Sequence, residues 1–146
     1  MTRAPSTILL VEDNASDADL VIRALKRSGV LARVDRVHDG VEALEYLHAA
    51  AAQVPAGLPQ LVLLDCKLPK LTGIEVLTRV RADPRLATLV VVMLTSSQEP
   101  RDLAAAYAAG VNSFVVKPVE FEAFFDAMSR LAHYWLVLNQ RLVVDR

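Results

Sequence analysis

Five polar side chains that could do chemistry each stand at the end of a short apolar run. They are Glu12, Asp13, Asp65, Thr95 and Lys117. Three carboxylates gathered in one small site repel one another unless a cation lies among them, and hard oxygen ligands with room for water suit Mg²⁺. Beside that ion, a hydroxyl and an ammonium group could bind the oxygen atoms of a phosphoryl group. These residue types therefore predict a site for one Mg²⁺ and one phosphoryl group, with Thr95 and Lys117 completing it.

Taken alone, each of these residues has a simpler interpretation. Glu12 and Asp13 could form a solvated turn that caps the next helix, Thr95 could be a capping hydroxyl, and aspartate commonly ends a strand. Because all five follow apolar runs that could meet at one edge of a sheet, a shared site is favoured over five separate structural roles.

The apolar runs themselves have the length of β-strands. Runs rich in Val, Ile and Leu recur at Thr7–Val11, Arg33–Val37, Leu61–Leu64, Leu89–Leu94 and Ser113–Val116. They are continuous rather than alternating, which is typical of strands covered on both faces, as in a parallel sheet between two layers of helices.

Helical patterns separate these runs. The first begins near Ser16 or Asp17, which are candidate N-cap residues. The other four are predicted over Gly40–Ala50, Gly73–Ala82, Glu99–Ala109 and Phe121–Trp135. In the fourth, Pro100 stands in the first turn and Gly110 follows the last turn, as helix boundaries prefer.

Five alternations of strand and helix predict the fold class. They favour an α/β protein with an open, doubly wound, five-stranded parallel sheet and helices on both faces. Ala49 to Gln60 is predicted to be a long loop, and residues 134–146 an extended C-terminal helix or tail. No shift in composition divides the chain, so we expect one domain over residues 1–146, with its core at about 6–133 and a C-terminal extension from 134 to 146.

Composition and charge exclude several classes of function. The chain is 53% hydrophobic with a mean hydropathy of +0.32, yet its apolar runs are too short to span a bilayer. Sixteen basic and seventeen acidic residues are interspersed, which disfavours nucleic-acid binding. A single cysteine, Cys66, and no signal-peptide pattern favour a cytoplasmic protein without membrane contact.

Four ordered motifs resemble the receiver domains of two-component response regulators. They are LLVEDN at 9–14, LLDCKLPKLTG at 63–73, MLTSS at 93–97 and FVVKP at 114–118. The resemblance covers roughly Ser6 to His133. It implies a CheY-like sheet with the strand order 2-1-3-4-5.

The resemblance also implies a role for each residue of the metal site. Asp65 would be the phosphoacceptor and would contact Mg²⁺, Asp13 would be a direct ligand, and Glu12 would act through water. Lys67 would offer its backbone carbonyl to the ion. Mg²⁺ is the only cofactor expected.

A second group would bind the phosphoryl group and report its presence. By the same resemblance, Thr95 would bind the phosphoryl oxygens, Lys117 would pair with them, and Phe114 would change rotamer when Thr95 moves. The surface of the fourth helix, fifth strand and fifth helix would then change for a partner protein.

The long loop and the WLVLNQ segment at 135–140 resemble a subfamily of small regulators paired with phytochrome-type histidine kinases. Trp135, Leu136 and Leu138 belong to an apolar cluster that a monomer of this size would struggle to cover, so we expect a homodimer through them.

The expected function is that of a stand-alone response regulator that receives a phosphoryl group from a sensor histidine kinase and is not an enzyme. A relay intermediate and a phosphate sink remain alternatives. A phosphatase with an aspartyl nucleophile would need a second aspartate two residues after Asp65, where Lys67 stands. A flavodoxin-like nucleotide binder would need a glycine-rich first loop, which the chain lacks.

Overall fold

The computed structural model describes residues 6–53, 57–96 and 99–140. The predicted long loop therefore lies partly outside these ranges, as do Ser97 of the third motif and the last six residues of the predicted tail.

Strands and helices alternate along the described residues. They are β1 Ser6–Val11, α1 Ala15–Arg27, β2 Ala32–Val37, α2 Gly40–Ala52, β3 Leu61–Leu64, α3 Gly73–Ala82, β4 Val91–Thr95, α4 Pro100–Ala108, β5 Ser113–Val116 and α5 Phe121–His133. A π-helical turn at Tyr134–Leu138, here called the C-terminal turn, continues α5.

The described strands form one five-stranded sheet in the order β2-β1-β3-β4-β5. Every neighbouring pair is parallel. This confirms the predicted α/β fold with the strand order 2-1-3-4-5. Val11 pairs with Leu64, so the residues that follow these two strands lie side by side at the carboxyl edge of the sheet.

The core lies in two layers, one on each face of the sheet. Helices α2, α3 and α4 pack on one face and α1 and α5 on the other. Successive strand residues serve opposite layers: Leu9 and Val11 belong to the first, Ile8 and Leu10 to the second. Burial on both faces explains why the strands are continuous apolar runs.

Several predicted boundaries were wrong by a few residues. The N-cap of α1 is Asn14 rather than Ser16 or Asp17, because the Asn14 side-chain oxygen accepts a hydrogen bond from the Asp17 backbone at 2.9 Å. Helix α2 runs two residues beyond its predicted end, so the loop after it is shorter than predicted.

Strand β4 also differs from its prediction, since it begins at Val91 and includes Thr95. The Leu89 carbonyl accepts a hydrogen bond from the Arg81 side chain instead of continuing the strand. Phe121, predicted to lie on the apolar stripe of α5, is 64% exposed because it begins the helix, before the stripe meets the core. The stripe's end at Trp135 belongs to the C-terminal turn rather than to α5.

Arg81 of α3 ties together the loops at the amino edge of β4 and β5. Its guanidinium donates hydrogen bonds to the carbonyls of Ala87, Leu89 and Gly110 at 2.8 to 3.1 Å, and to Asn112 Oδ1 at 2.8 Å. A planar group with five donors can satisfy several acceptors at once, which an aliphatic side chain cannot.

Replacing Arg81 by methionine is expected to lower the free energy of unfolding by about 2 kcal/mol, because half-buried carbonyls lose their donors. Urea denaturation measures this. Arg79→Met is the matched control, because Arg79 is exposed on the same helix. Equal losses in the two variants would mean that the hydrogen bonds of Arg81 are not the cause.

Candidate functional site

Three carboxylates meet at the carboxyl edge of the sheet. One oxygen atom from each of Glu12, Asp13 and Asp65 lies within 4.8 Å of the others. Glu12 is buried, Asp65 is half-buried and Asp13 is exposed, so the cluster runs from the interior to solvent. The sequence prediction that these three side chains converge is consistent with this geometry.

The short loop between β1 and α1 carries two of these carboxylates. The Glu12 backbone donates to the Val37 carbonyl at 3.1 Å, which continues the ladder between β1 and β2 by one residue. The Asn14 backbone donates to the Glu12 side chain at 3.3 Å, and Asn14 then caps α1. The loop is therefore held at both ends, by β2 and by the first turn of α1.

The loop between β3 and α3 shapes the other side of the cluster. The Lys67 backbone donates to Asp65 Oδ1 at 3.3 Å, and the Gly73 backbone donates to the Cys66 carbonyl at 2.9 Å. A Cβ atom at Gly73 would overlap the Asp65 carbonyl oxygen. Only glycine allows α3 to begin this close to Asp65. Lys70, in the same loop, has a positive φ of 68° and its ammonium lies 3.4 Å from Asp39 of the loop before α2.

Lys117 joins the cluster from the end of β5. Its Nζ donates to Glu12 Oε1 at 3.0 Å, and its side chain is only 16% exposed. Its backbone donates to the Thr95 carbonyl at 2.8 Å, which fixes the position of the ammonium relative to β4. Thr95 itself is buried at the end of β4. All five predicted polar residues therefore lie at the same edge of the sheet.

Burial dominates the electrostatics of the carboxylates. It raises the pKa of Glu12 above its ordinary value, and the hydrogen bond and charge of Lys117 only partly offset this. Burial raises the pKa of Asp65 as well, where the charge of Lys117 opposes the shift and that of Asp13 adds to it. Desolvated carboxylates beside one another are stabilised by an added positive charge, so this oxygen-only donor set fits a hard divalent cation.

Cys66 follows Asp65 in the chain, and its buried thiol belongs to the core layer formed by α2, α3 and α4. Its Sγ lies 3.4 Å from Met93 Sδ. Burial, with the nearby Asp65 charge, raises the pKa of the Cys66 thiol to about 11, so the group is protonated at neutral pH.

Phe114 of β5 is half-buried and packs against the core layer formed by α2, α3 and α4. Its register partner in β4 is Met93, two residues before Thr95. The two residues predicted to form a switch therefore lie on neighbouring strands.

Arg36 of β2 contacts the site, although no side chain of β2 was predicted to belong to it. Its Nε donates to the Glu12 carbonyl at 3.1 Å and its Nη2 to the Asp13 carbonyl at 3.3 Å. Only its position in the sequence could have indicated this contact, because Arg36 stands near the carboxyl end of a strand next to β1.

The predicted interface residues divide into covered and exposed ones. Trp135 and Leu136 are half-buried against the core layer formed by α1 and α5. Leu138 is 73% exposed, as is most of its neighbour Val137. Among the described residues no helix is both long enough and apolar enough to cross a bilayer.

The parallel sheet in this order, with an acidic cluster and a lysine at its carboxyl edge, defines a CheY-like domain. Comparison with known families extends this: the profile of the response regulator receiver domain matches residues 8–129, and the chain belongs to that family. The resemblance that the four motifs indicated is thereby confirmed.

Two curated relatives are similar to this chain over most of its length. The probable methanogenesis regulatory protein FilR2 of Methanothrix harundinacea is 41% identical over 138 residues, which cover 93% of this chain and 87% of that protein. Response regulator Rcp1 of Synechocystis sp. is 34% identical over 132 residues, 90% of each chain.

Two solved structures of response regulators have a similar fold. The phosphorylated cyanobacterial phytochrome response regulator RcpA matches with a TM-score of 0.85 and 36% identity, over 94% of this chain and 98% of that one. The Mn²⁺-bound form of Rcp1 matches with a TM-score of 0.84 and 32% identity, over 95% of this chain and 100% of that one.

Proposed function

We propose that this protein accepts a phosphoryl group on Asp65 from a sensor histidine kinase, with Mg²⁺, and signals through a changed surface of α4, β5 and α5. The observation that carries the proposal is the meeting of Glu12, Asp13 and Asp65 within 4.8 Å, with the Lys117 ammonium on Glu12. A Mn²⁺-bound Rcp1 and a phosphorylated RcpA among the similar structures support the same chemistry.

The Asp65 carboxylate would act as the nucleophile. A new bond from its oxygen to phosphorus replaces the P–N bond of a phosphohistidine, and the imidazole takes up a proton from solvent. The side chains of Glu12, Asp13 and Asp65, with the Lys67 carbonyl, would hold Mg²⁺, which supplies positive charge against the phosphoryl oxygens.

Lys117 and Thr95 would bind the transferred group. The ammonium of Lys117 donates to the Glu12 carboxylate at 3.0 Å. It would donate to a phosphoryl oxygen on Asp65 instead, because Lys117 and Asp65 lie at the same edge of the sheet. The Thr95 hydroxyl would donate to another oxygen. Its movement would leave space that the Phe114 ring fills, and a change in charge becomes a change in packing.

Phosphorylation of the wild-type protein tests the proposal. Acetyl phosphate with Mg²⁺ is expected to add one phosphoryl group per chain, and peptide mapping should locate it at Asp65. Chelation of the metal should prevent the reaction. A phosphoryl group at another residue, or labelling that does not need a divalent ion, would contradict the assignment. Continuous release of phosphate from simple esters would instead favour the phosphatase.

The similarity to RcpA bears on the choice of kinase. RcpA is described as a phytochrome response regulator, and we propose a phytochrome-type histidine kinase as the phosphoryl donor of this chain. Phosphotransfer from a panel of purified kinases tests this. Rapid onward transfer to a histidine phosphotransfer protein would identify a relay intermediate, and rapid loss to water a phosphate sink.

We also propose a homodimer through the C-terminal turn. The exposed side chains of Val137 and Leu138 extend the apolar patch that begins with half-buried Trp135 and Leu136.

Leu138→Asp is expected to raise the dimer dissociation constant at least about tenfold, because it places a charge in an apolar contact. Sedimentation velocity measures this. Leu31→Asp is the matched control, since Leu31 is also exposed but lies before β2. If the wild-type protein sediments as a monomer, the proposed homodimer is wrong.

A further inference from the structure

Arg36 links the edge strand of the sheet to the backbone of the acidic loop. Its guanidinium donates from Nε to the Glu12 carbonyl at 3.1 Å and from Nη2 to the Asp13 carbonyl at 3.3 Å. The two acceptors are successive peptides, so one planar group holds both. The Glu12 amide is held from the other side by the Val37 carbonyl at 3.1 Å.

This loop has reason to move when no cation is bound. Only residues 12–14 connect β1 to α1. The Asp13 side chain is exposed, and its carboxylate faces the like charges of Glu12 and Asp65 within 4.8 Å. Repulsion between the carboxylates favours a shift of the loop that carries Asp13 away from Asp65. Arg36 opposes that shift because it holds the carbonyls of Glu12 and Asp13.

We propose that Arg36 is a positioning residue for the divalent cation. By holding the Glu12 and Asp13 peptides, it keeps their carboxylates beside Asp65 before the ion arrives. The inference rests on the proposed function, because it takes the acidic cluster to be the cation site. Groups that orient metal ligands without touching the metal commonly change affinity by about 10- to 100-fold.

The positive charge of Arg36 acts in the opposite direction, since it repels an incoming cation. The guanidinium is half-exposed, so water and salt screen that repulsion. The two hydrogen bonds act at short range on the loop itself, and the one from Nε to the Glu12 carbonyl is partly buried. Positioning is therefore expected to exceed repulsion, and removal of Arg36 to weaken cation binding.

Binding of Mn²⁺ alone, measured from the electron paramagnetic resonance signal of the free ion, tests the proposal without phosphorylation. Arg36→Met is expected to weaken binding at least about tenfold. Arg33→Met is the matched control: it removes the same charge from the same strand, and Arg33 pairs with Asp35 rather than with the acidic loop. It should bind Mn²⁺ with wild-type affinity.

Arg36→Lys separates charge from geometry. Lysine keeps the charge but lacks the planar fork that reaches two carbonyls. The Mn²⁺ affinity of Arg36→Lys should therefore lie between those of the wild type and Arg36→Met. If Arg36→Met does not fold, Arg36→Lys decides alone, and wild-type affinity in it would overturn the proposal. Unchanged or tighter binding by Arg36→Met, or an equal loss in Arg33→Met, overturns it too. Failure of the wild-type protein to bind Mn²⁺ would overturn the proposed cation site as well.

Discussion

Replacement of Asp65 by asparagine is expected to reduce phosphoryl incorporation from acetyl phosphate by more than about 100-fold, because an amide oxygen is a far weaker nucleophile than a carboxylate. The substitution preserves the shape of the side chain and its hydrogen bond from the Lys67 backbone. Intact-mass spectrometry after reaction with Mg²⁺ and acetyl phosphate measures the loss. Asp19→Asn, on the exposed face of α1, should react like the wild type.

The same variant should be more stable than the wild type when no cation is present. Burial raises the pKa of Asp65 in the folded state, so the folded protein binds this proton more tightly than the unfolded chain does. The wild-type protein therefore loses stability as pH rises from the ordinary carboxyl range through the raised pKa, and the loss persists at neutral pH. Asp65→Asn removes this contribution.

Thermal unfolding at neutral pH and at a pH below the ordinary carboxyl range tests that sign. The difference in melting temperature between Asp65→Asn and the wild type should be largest at neutral pH and should shrink in acid. An unlabelled variant that is also less stable at neutral pH would point to misfolding as the cause of the lost labelling.

The site's outline was predictable because strand ends are marked in the sequence. Val11 gives way to Glu12, Leu64 to Asp65 and Val116 to Lys117, so an apolar run stops where a charge begins. Parallel strands deliver such ends to one edge of the sheet. Thr95 differs from these residues because it is the last residue of β4 itself, where it still pairs with Val116 of β5.

Arg36 was not predictable in the same way. Its role depends on the register in which β2 lies against β1, where Arg36 pairs with Leu10 and so stands beside the loop after Val11. A charged residue on an edge strand is ordinarily a solvated side chain that discourages aggregation. Residue type therefore carried no signal for a contact with two backbone carbonyls.

The close packing of Gly73 against the Asp65 backbone could not be predicted from the sequence either, although Gly73 belongs to one of the four motifs. Its spacing from Asp65 is visible in the sequence, but the approach of α3 to the Asp65 backbone depends on the conformation of the intervening loop. That loop includes Lys70 with φ of 68°, a conformation that side chains other than glycine seldom adopt.

Gly73→Ala is expected to lower the free energy of unfolding by about 3 kcal/mol and to slow the phosphorylation of Asp65. Alanine ordinarily stabilises a helix relative to glycine by about 1 kcal/mol. Here its Cβ would overlap the Asp65 carbonyl oxygen and would lie 2.9 Å from the Cys66 Cα. Both obstacles are backbone atoms, so no side-chain rotation relieves the overlap. Either α3 or the loop after β3 must move.

Urea denaturation and the rate of labelling by acetyl phosphate measure the two effects. Gly29→Ala is the control for a methyl group added without overlap, because nothing lies within 4 Å of an added Cβ there and the only cost is its positive φ of 79°. Its cost should be about 1 kcal/mol, with labelling unchanged. A smaller loss of stability in Gly73→Ala than in Gly29→Ala, or wild-type labelling despite the substitution, would mean that the backbone around Asp65 can absorb a methyl group. The phosphoacceptor's position would then not depend on the close approach of α3.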